Sequence, residues 1–140
     1  MSANMQEYAS YKNTAIETAN PGKLLLLLYD AAIRNLDEAV ISIGNKDLGA
    51  AHHRLIKSQD IVLEFICTLN MDYEVSHRLK ELYDYMYRRL VEANVKKDAE
   101  IIEEVRGLLG ELRDTWREAV SKTNVRVPAA VGGGGLNVQG

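Results

Sequence analysis

Prolines occur at only two positions of this 140-residue chain, 21 and 128. A proline inside a helix removes a backbone hydrogen bond and clashes with the preceding turn. The long stretch between the two prolines is therefore free to form long helices, interrupted only by a few glycines. Apolar residues in this stretch recur at steps of three and four, and no segment alternates apolar and polar residues with period two. We expect helices and no sheet.

Start and stop signals divide this stretch into four predicted helices. Asn20-Pro21 is typical of a helix start, with an N-cap followed by proline at the first helical position. Gly44 is suited to a left-handed C-cap, and Asp47 and Asp98 are expected to cap the helices that follow them. The predicted helices run from Pro21 to about Ile43, from Asp47 to about Asn70, from Glu74 to about Val95, and from Asp98 to about Ser121.

The connections between these helices are short, at 44–46, 71–73 and 96–97. Short connections between long helices make neighbouring helices antiparallel. The predicted fold is therefore all-α, an antiparallel up-down-up-down four-helix bundle that spans residues 20–125. We expect residues 1–19 to form a mobile N-terminal segment packed against the bundle, and residues 126–140 to form a flexible glycine-rich tail.

Charge and apolar content limit the functional classes. The net charge of −3 and the pI of about 5.6 provide no basic face for phosphates, which argues against nucleic acid as a partner. Hydrophobic residues make up 46% of the chain, enough for a real core. The longest apolar run, Leu24 to Tyr29, is too short to cross a bilayer, and the polar N-terminus has no apolar signal core. We expect a cytoplasmic protein without membrane insertion, with its single cysteine, Cys67, as a small core residue.

A catalytic or metal site finds little support. Di-iron four-helix bundles need two Glu-x-x-His motifs, and Glu74 with His77 supplies one copy, at the start of a helix. Cys67 has no nearby histidine to activate it as a nucleophile. We therefore expect no catalytic residues, no metal site and no cofactor, and the metalloenzyme alternative is left to metal analysis.

Apolar stripes at helical spacing identify the expected core. They are Leu48, Ala51, Leu55, Val62, Phe65 and Leu69 in the second helix, Val75, Leu79, Leu82, Met86, Leu90 and Ala93 in the third, and Ile101, Val105, Leu108, Leu112 and Trp116 in the fourth. The stripes leave a surplus of apolar residues. The surplus comprises the five consecutive leucines Leu24 to Leu28, then Ile56, Leu63, Tyr83, Tyr87, Ile102 and Leu109.

Two interpretations of this surplus stay open. It either packs between neighbouring helices of the bundle or forms a hydrophobic groove that receives a partner helix. The N-terminal segment is a candidate to cover part of such a groove, because it carries Met5, Tyr8, Tyr11 and Ile16.

Three stretches resemble the flagellar secretion chaperone family FliS. They are Asn20 to Leu24 continuing through Leu28 to Asp30, then Leu82 to Asn94, and finally Glu103 to Val105 with Leu112 to Trp116. Tyr8 and Tyr11 stand where that family has its N-terminal tyrosines. The resemblance covers about residues 5 to 122 in one order, and the stretch from Leu82 to Asn94 is its most specific part.

The resemblance implies a function that periodicity alone does not show. Members of this family bind the C-terminal segment of flagellin in the cytoplasm, keep it from polymerising and present it to the flagellar type III export apparatus. Together with the surplus apolar residues, this implies client contacts at Tyr8, Tyr11, Leu24, Leu26, Leu27, Ile56, Leu63, Tyr83 and Tyr87. Components of the export apparatus and an anti-sigma factor are open as further partners. The alternative from another class is a structural homodimer without an export client, in which the surplus residues close the dimer interface.

Overall fold

The computed structural model describes residues 21–122, and four α-helices contain most of them. They are α1 (Pro21–Gly44), α2 (Leu48–Cys67), α3 (Glu74–Lys96) and α4 (Ala99–Ser121). Helix α1 packs against α2 and α4, and α3 packs against the same two helices, so α1 and α3 lie on one diagonal of the bundle. The short connections make each helix antiparallel to the next. The predicted all-α four-helix bundle is confirmed, and residues 21–122 contain no strand.

Several predictions fall outside the described residues. These are the mobile segment 1–19, the tail 126–140, and the ends of the predicted bundle domain at 20 and 123–125. Among the helices that are described, none combines the length and the apolarity that a membrane crossing requires.

The predicted helix starts are found in the structure. Pro21 is the first residue of α1. The side chain of Asp47 accepts a hydrogen bond from the backbone N–H of Ala50 at 3.1 Å, and that of Asp98 accepts from the N–H of Glu100 at 2.9 Å. Each aspartate therefore satisfies a backbone donor that its helix has no carbonyl to pair with.

The end of α2 differs from the prediction. The helix stops at Cys67 rather than near Asn70. The hydroxyl of Thr68 donates to the carbonyl oxygen of Glu64 at 2.9 Å, and the side chain of Asn70 accepts from the N–H of Asp72 at 3.0 Å. Side chains that bind nearby backbone groups compete with the helical pattern, so the helix gives way early to a turn.

The end of α1 also differs. Gly44 was expected as the left-handed cap, yet it is the last helical residue, and the left-handed backbone belongs to Lys46, with a φ of 61°. The N–H of Asp47 bonds to the carbonyl of Ser42 at 2.8 Å, and the N–H of Lys46 bonds to that of Ile43 at 2.9 Å. This pair of bonds is a Schellman motif, which satisfies carbonyls of the last turn.

The core contains an apolar stripe from each helix, with some changes from the predicted stripes. Leu48 and Val75 were expected inside but are 51% and 40% exposed, because each lies in the first turn of its helix at the edge of the bundle. Cys67, also expected in the core, is exposed. In α4, Ile102 and Leu109 are fully buried rather than surplus. The stripe of α4 is therefore rotated, and the residues that pack only partly at its side are Leu108, Leu112 and Trp116.

Helices α1 and α2 are joined by buried polar contacts. Ser58 donates its hydroxyl proton to the carbonyl of Ala32 at 2.9 Å. The side chain of Asn35 donates to the carbonyl of Ala31 at 2.9 Å and accepts from the guanidinium of Arg54 at 3.0 Å. Small residues on both helices allow this close approach, and the polar groups that it buries are paired.

Ion pairs join α4 to its two neighbours. Towards α1, Arg113 pairs with Asp30 at 3.2 Å and Arg106 pairs with Asp37 at 3.0 Å. Towards α3, the least extensive of the four neighbouring contacts, a larger polar cluster forms on the surface. Its members are Tyr85, Arg89 and Glu92 of α3 and Glu104 of α4.

Glu104 is the acceptor at the centre of this cluster. The Tyr85 hydroxyl donates to one carboxylate oxygen, and Arg89 Nε donates to the other at 3.0 Å. These hydrogen bonds hold the pKa of Glu104 below its usual value, whereas the bond to Glu104 raises the pKa of Tyr85. Because the folded-state pKa of Glu104 is lowered, its stabilising effect is present above the unfolded-state pKa and is lost as the pH falls.

A Glu104→Gln variant tests this contribution. We expect its thermal midpoint to lie below that of the wild type at about pH 7, and the difference to shrink as the pH falls to about 3, because the wild-type carboxylate then becomes protonated. Thermal unfolding followed by circular dichroism at several pH values measures it. The matched control is Glu103→Gln, which changes the neighbouring exposed carboxylate. A difference for Glu104→Gln that stays constant with pH contradicts the assignment.

Candidate functional site

A shallow groove lies between α2 and α3. On α2, His52, Ile56, Gln59 and Leu63 recur at steps of four, three and four, which places them on one side of the helix. His52 Nδ1 lies 3.2 Å from Oδ1 of Asn94 on α3, and Asn94 Nδ2 donates to Gln59 Oε1 at 3.4 Å. This side of α2 therefore borders α3. Its aliphatic members are accessible, since Ile56 is half-buried and Leu63 is 42% exposed.

Helix α3 forms the other wall of this α2–α3 groove. Tyr87, Val91 and Val95 follow one another at steps of four, beside the Asn94 that bonds to α2. Tyr87 is half-buried, Val91 is 39% exposed and Val95 is 79% exposed. Val95 is the most exposed large hydrophobic residue within residues 21–122. The two walls together place accessible aliphatic and aromatic side chains along one helix–helix edge.

A cavity of about 300 Å³ lies at the end of the groove near Asn94. Gln59 and Asn94 are each 8% exposed, so most of their surface is buried between the helices. The ammonium of Lys97 donates to the main-chain carbonyl of Asn94 at 2.6 Å, which holds that charge at the end of α3. The residues that line the cavity are His52, Gln59, Val91, Asn94, Val95 and Lys97.

An aromatic cluster holds the four helices together inside the bundle, and each helix contributes one residue to it. The ring of Phe65 lies between Tyr29 and Tyr83, with centroid distances of 4.6 Å and 5.3 Å. The hydroxyl oxygens of Tyr29 and Tyr83 are 2.5 Å apart, and Trp116 Nε1 donates to the Tyr29 hydroxyl at 3.1 Å. The groove is thus built on helices whose relative positions are set by directional contacts.

Burial raises the pKa of both tyrosine hydroxyls in this cluster. Desolvation raises the pKa of Tyr83 to about 12. The pKa of Tyr29 is raised well above its ordinary value, first by desolvation and then by the nearby Tyr83 hydroxyl. Both groups therefore stay protonated at neutral pH, and each is able to donate or accept within the cluster.

Five of the residues expected to contact a partner lie at least partly on the surface. Helix spacing places Ile56 and Leu63 on the side of α2 that carries His52 and Gln59, and Tyr87 on the side of α3 that carries Val91 and Val95. Leu26 and Leu27 are half-buried on α1, and as adjacent residues they point about 100° apart. Helix spacing therefore places three of these residues towards the α2–α3 edge, and the other two point to different sides of α1.

The remaining four expected contact residues are not found on the described surface. Leu24 is 2% exposed and Tyr83 is fully buried, so in the described structure neither presents its side chain to a partner, contrary to expectation. Tyr83 is buried because its ring packs on Phe65 and its hydroxyl pairs with Tyr29. Tyr8 and Tyr11 lie outside the described residues.

None of the six residues that line the cavity was predicted from the sequence as a contact residue. Val91 and Val95 continue the line of Tyr87 at steps of four, a signal that was available in the sequence. Gln59 and Asn94 offered no such signal, because two amides from different helices come together only through the packing of the bundle.

The single Glu-x-x-His motif lies at an exposed helix start. Glu74 and His77 are both exposed, and His77 Nε2 lies 3.1 Å from the main-chain carbonyl of Met71. Within residues 21–122, no group of three or more histidine, cysteine, aspartate or glutamate side chains is placed to hold a metal ion.

The chain is similar to one family of proteins along most of its length. A family model described as flagellar protein FliS matches residues 4–123. The flagellar secretion chaperone FliS of Bacillus subtilis is 40% identical over 113 residues, which cover 81% of this chain and 85% of the relative. Its counterparts in Salmonella typhimurium and Vibrio cholerae are 34% and 24% identical, over 79% and 94% of this chain and 84% and 99% of the relatives. The family match includes all four helices and the groove.

Phenylalanine substitutions separate the core tyrosine from the groove tyrosine. We expect Tyr83→Phe to lower the free energy of unfolding by about 1–2 kcal/mol, because it removes one partner of a buried hydrogen bond and keeps the ring. Tyr87→Phe, one turn further along α3, should change it by less than about 0.5 kcal/mol. Urea unfolding followed by Trp116 fluorescence measures both. Equal stability of the wild type and Tyr83→Phe disagrees with the structural role given to this hydroxyl.

Proposed function

The chain belongs to the FliS family of flagellar secretion chaperones, and from this membership we propose that it binds the C-terminal segment of flagellin in the cytoplasm. Bound there, the segment is kept from polymerising until it is delivered to the flagellar type III export apparatus. The role as an export chaperone follows from the family, and the flagellin client is our proposal. The observation that supports it is the α2–α3 groove, whose aliphatic side chains remain accessible on an otherwise well-packed bundle.

The groove fits an amphipathic helical partner. Such a helix places apolar residues along one face and inserts them between two supporting helices. Leu63, Val91 and Val95 offer apolar area of this kind, and covering it contributes about 25 cal/mol per Å². A disordered segment that folds on binding loses about 2–5 kcal/mol in becoming ordered. One groove is therefore a modest source of affinity, and we propose that Leu26 and Leu27 extend the contact onto α1.

The function needs binding and release but no bond chemistry. A segment that is aggregation-prone when free becomes ordered on the chaperone, and its polymerising surface is occupied while it stays there. Its release then follows from competition by the export machinery for the same segment.

Aspartate substitutions at exposed aliphatic residues test the groove. We expect Leu63→Asp to fold normally and to bind a peptide of the co-encoded flagellin's C-terminal segment at least about tenfold more weakly, a change of about 1.4 kcal/mol. Ile41→Asp is the matched control, since Ile41 is a 59% exposed aliphatic residue of α1 and does not line the cavity. Leu55→Asp, in the core, should unfold the protein by burying an unpaired charge. Calorimetry and circular dichroism report binding and folding.

Two outcomes of this experiment argue against the proposal. If every substitution unfolds the chain, the α2–α3 edge is part of the core and not a groove. If the wild type ignores the flagellin peptide and elutes as a dimer on size-exclusion chromatography, the structural homodimer replaces the chaperone role.

Removal of residues 1–17 tests the predicted N-terminal segment. If the segment only competes with the client for the groove, its removal tightens binding by the free energy of its docking. We expect weaker binding instead, because Tyr8 and Tyr11 are predicted to contact the client after the segment has moved. Calorimetry of the full chain and of a chain that begins at Thr18, against the same flagellin peptide, decides the sign. Identical affinity and solubility of the two chains would leave the segment without a role.

A further inference from the structure

The floor of the α2–α3 groove contains an amide that the bundle uses only in part. Gln59 is 8% exposed, and its Oε1 accepts from Asn94 Nδ2 at 3.4 Å. A glutamine amide also carries two N–H donors on Nε2. Within residues 21–122, neither donor meets an acceptor. Within residues 21–122, Ser76 Oγ is the fully buried side-chain polar atom without a partner. Gln59 Nε2 is not such an atom, so it keeps access to solvent.

A purely structural role of Gln59 explains the use of its amide oxygen but not the presence of its amide nitrogen. A bridge between α2 and α3 needs the oxygen of Gln59, and the bond that uses it is long for an N–H to oxygen contact. The nitrogen serves no such bridge. Gln59 lines the cavity together with Val91 and Val95.

The polar groups around the cavity favour one kind of ligand atom. Lys97 brings an ammonium group and Gln59 brings an amide donor, and none of the six lining residues carries a carboxylate. Donors without a competing acid attract oxygen acceptors. Val91 and Val95 next to them accommodate an aliphatic contact.

When a partner covers the cavity, the two N–H donors of Gln59 strongly affect the binding free energy. Water satisfies them while the groove is open. A partner that covers the cavity with apolar surface alone removes this water and leaves a buried donor without an acceptor, which costs more than the hydrogen bond itself contributes. A partner that places an oxygen acceptor within hydrogen-bond distance of Gln59 Nε2 avoids that penalty.

We propose that Gln59 determines specificity and register in this groove by donating to an oxygen acceptor on the bound segment, next to aliphatic contacts with Val91 and Val95. The occupant is the flagellin C-terminal segment, so this inference rests on the proposed function. A segment shifted along the groove presents a different group to Gln59 and loses the hydrogen bond.

A Gln59→Leu variant gives a result whose sign is diagnostic. If the client supplies an acceptor, the variant leaves that acceptor unsatisfied, and we expect the flagellin peptide to bind at least about tenfold more weakly, or about 1.4 kcal/mol. If the client covers Gln59 with apolar surface alone, leucine removes a penalty and binding becomes tighter. Unchanged or tighter binding of Gln59→Leu overturns the proposal.

A Gln59→Glu variant separates the donor from the structural bridge. Glutamate keeps an oxygen that accepts from Asn94 and replaces the Nε2 donors with a second acceptor. We expect the variant to stay folded with a thermal midpoint below that of the wild type, because its carboxylate is largely buried, and to bind the peptide at least about tenfold more weakly. Wild-type affinity in Gln59→Glu contradicts donation to the client, even if Gln59→Leu proves unstable.

A Val95→Asp variant keeps this inference distinct from the proposed function. Val95 is 79% exposed, so the variant should fold, and it should weaken binding if the client passes over the cavity. If the wild type and Val95→Asp bind the flagellin peptide equally, the client does not cover the cavity and the role of Gln59 is refuted, whereas the chaperone function stands. If the wild type does not bind the peptide at all, the proposed function itself fails.

Discussion

The hydrogen bond between the hydroxyls of Tyr29 and Tyr83 joins the two helices that lie diagonally across the bundle. Phe65 of α2 packs between their rings, and Trp116 of α4 donates to the same Tyr29 hydroxyl. A helix rises about 1.5 Å per residue, so a shift of any helix by one residue breaks a contact whose useful range is a few tenths of an ångström. This aromatic cluster therefore fixes the axial positions of the four helices relative to one another. The same register determines which residues face each other at every helix–helix edge.

The four helix–helix edges are joined by different kinds of contact. Ion pairs cover the edges of α4 with α1 and with α3, and hydrogen bonds from Ser58 to the Ala32 carbonyl and from Arg54 to Asn35 tie α1 to α2. At the α2–α3 edge, Asn94 contacts His52 and Gln59, and Val91 and Val95 lie beside them at the cavity. Leu63, Val91 and Val95 are accessible on these two helices, and they are the apolar surface that we propose receives the partner helix.

Local features of the sequence predicted the fold better than they predicted which residues lie on the surface. Helix starts at Asp47 and Asp98 were predictable because a cap depends on residues within one turn. The end of α1 was not predicted correctly, since Lys46 adopts the left-handed backbone conformation rather than Gly44, two residues earlier. Tyr83 and Tyr87 have the same side chain one turn apart, and only residues from other helices decide that one is core and the other lines the groove. Periodicity within one helix carries no information about those residues.

The proposed function requires a surface that stays hydrated when it is free and still binds when a client arrives. Val91 and Val95 provide apolar area, but Gln59, Asn94 and Lys97 line the same cavity and carry polar groups that favour hydration. Isolated aliphatic residues are common on soluble proteins, whereas large continuous apolar patches favour association. The polar floor therefore limits association of the free chaperone. It also makes the net binding free energy a small difference between the gain from apolar burial and the cost of ordering the client segment. A single hydrogen-bond donor, satisfied by one segment and left unsatisfied by another, is then enough to distinguish the two segments.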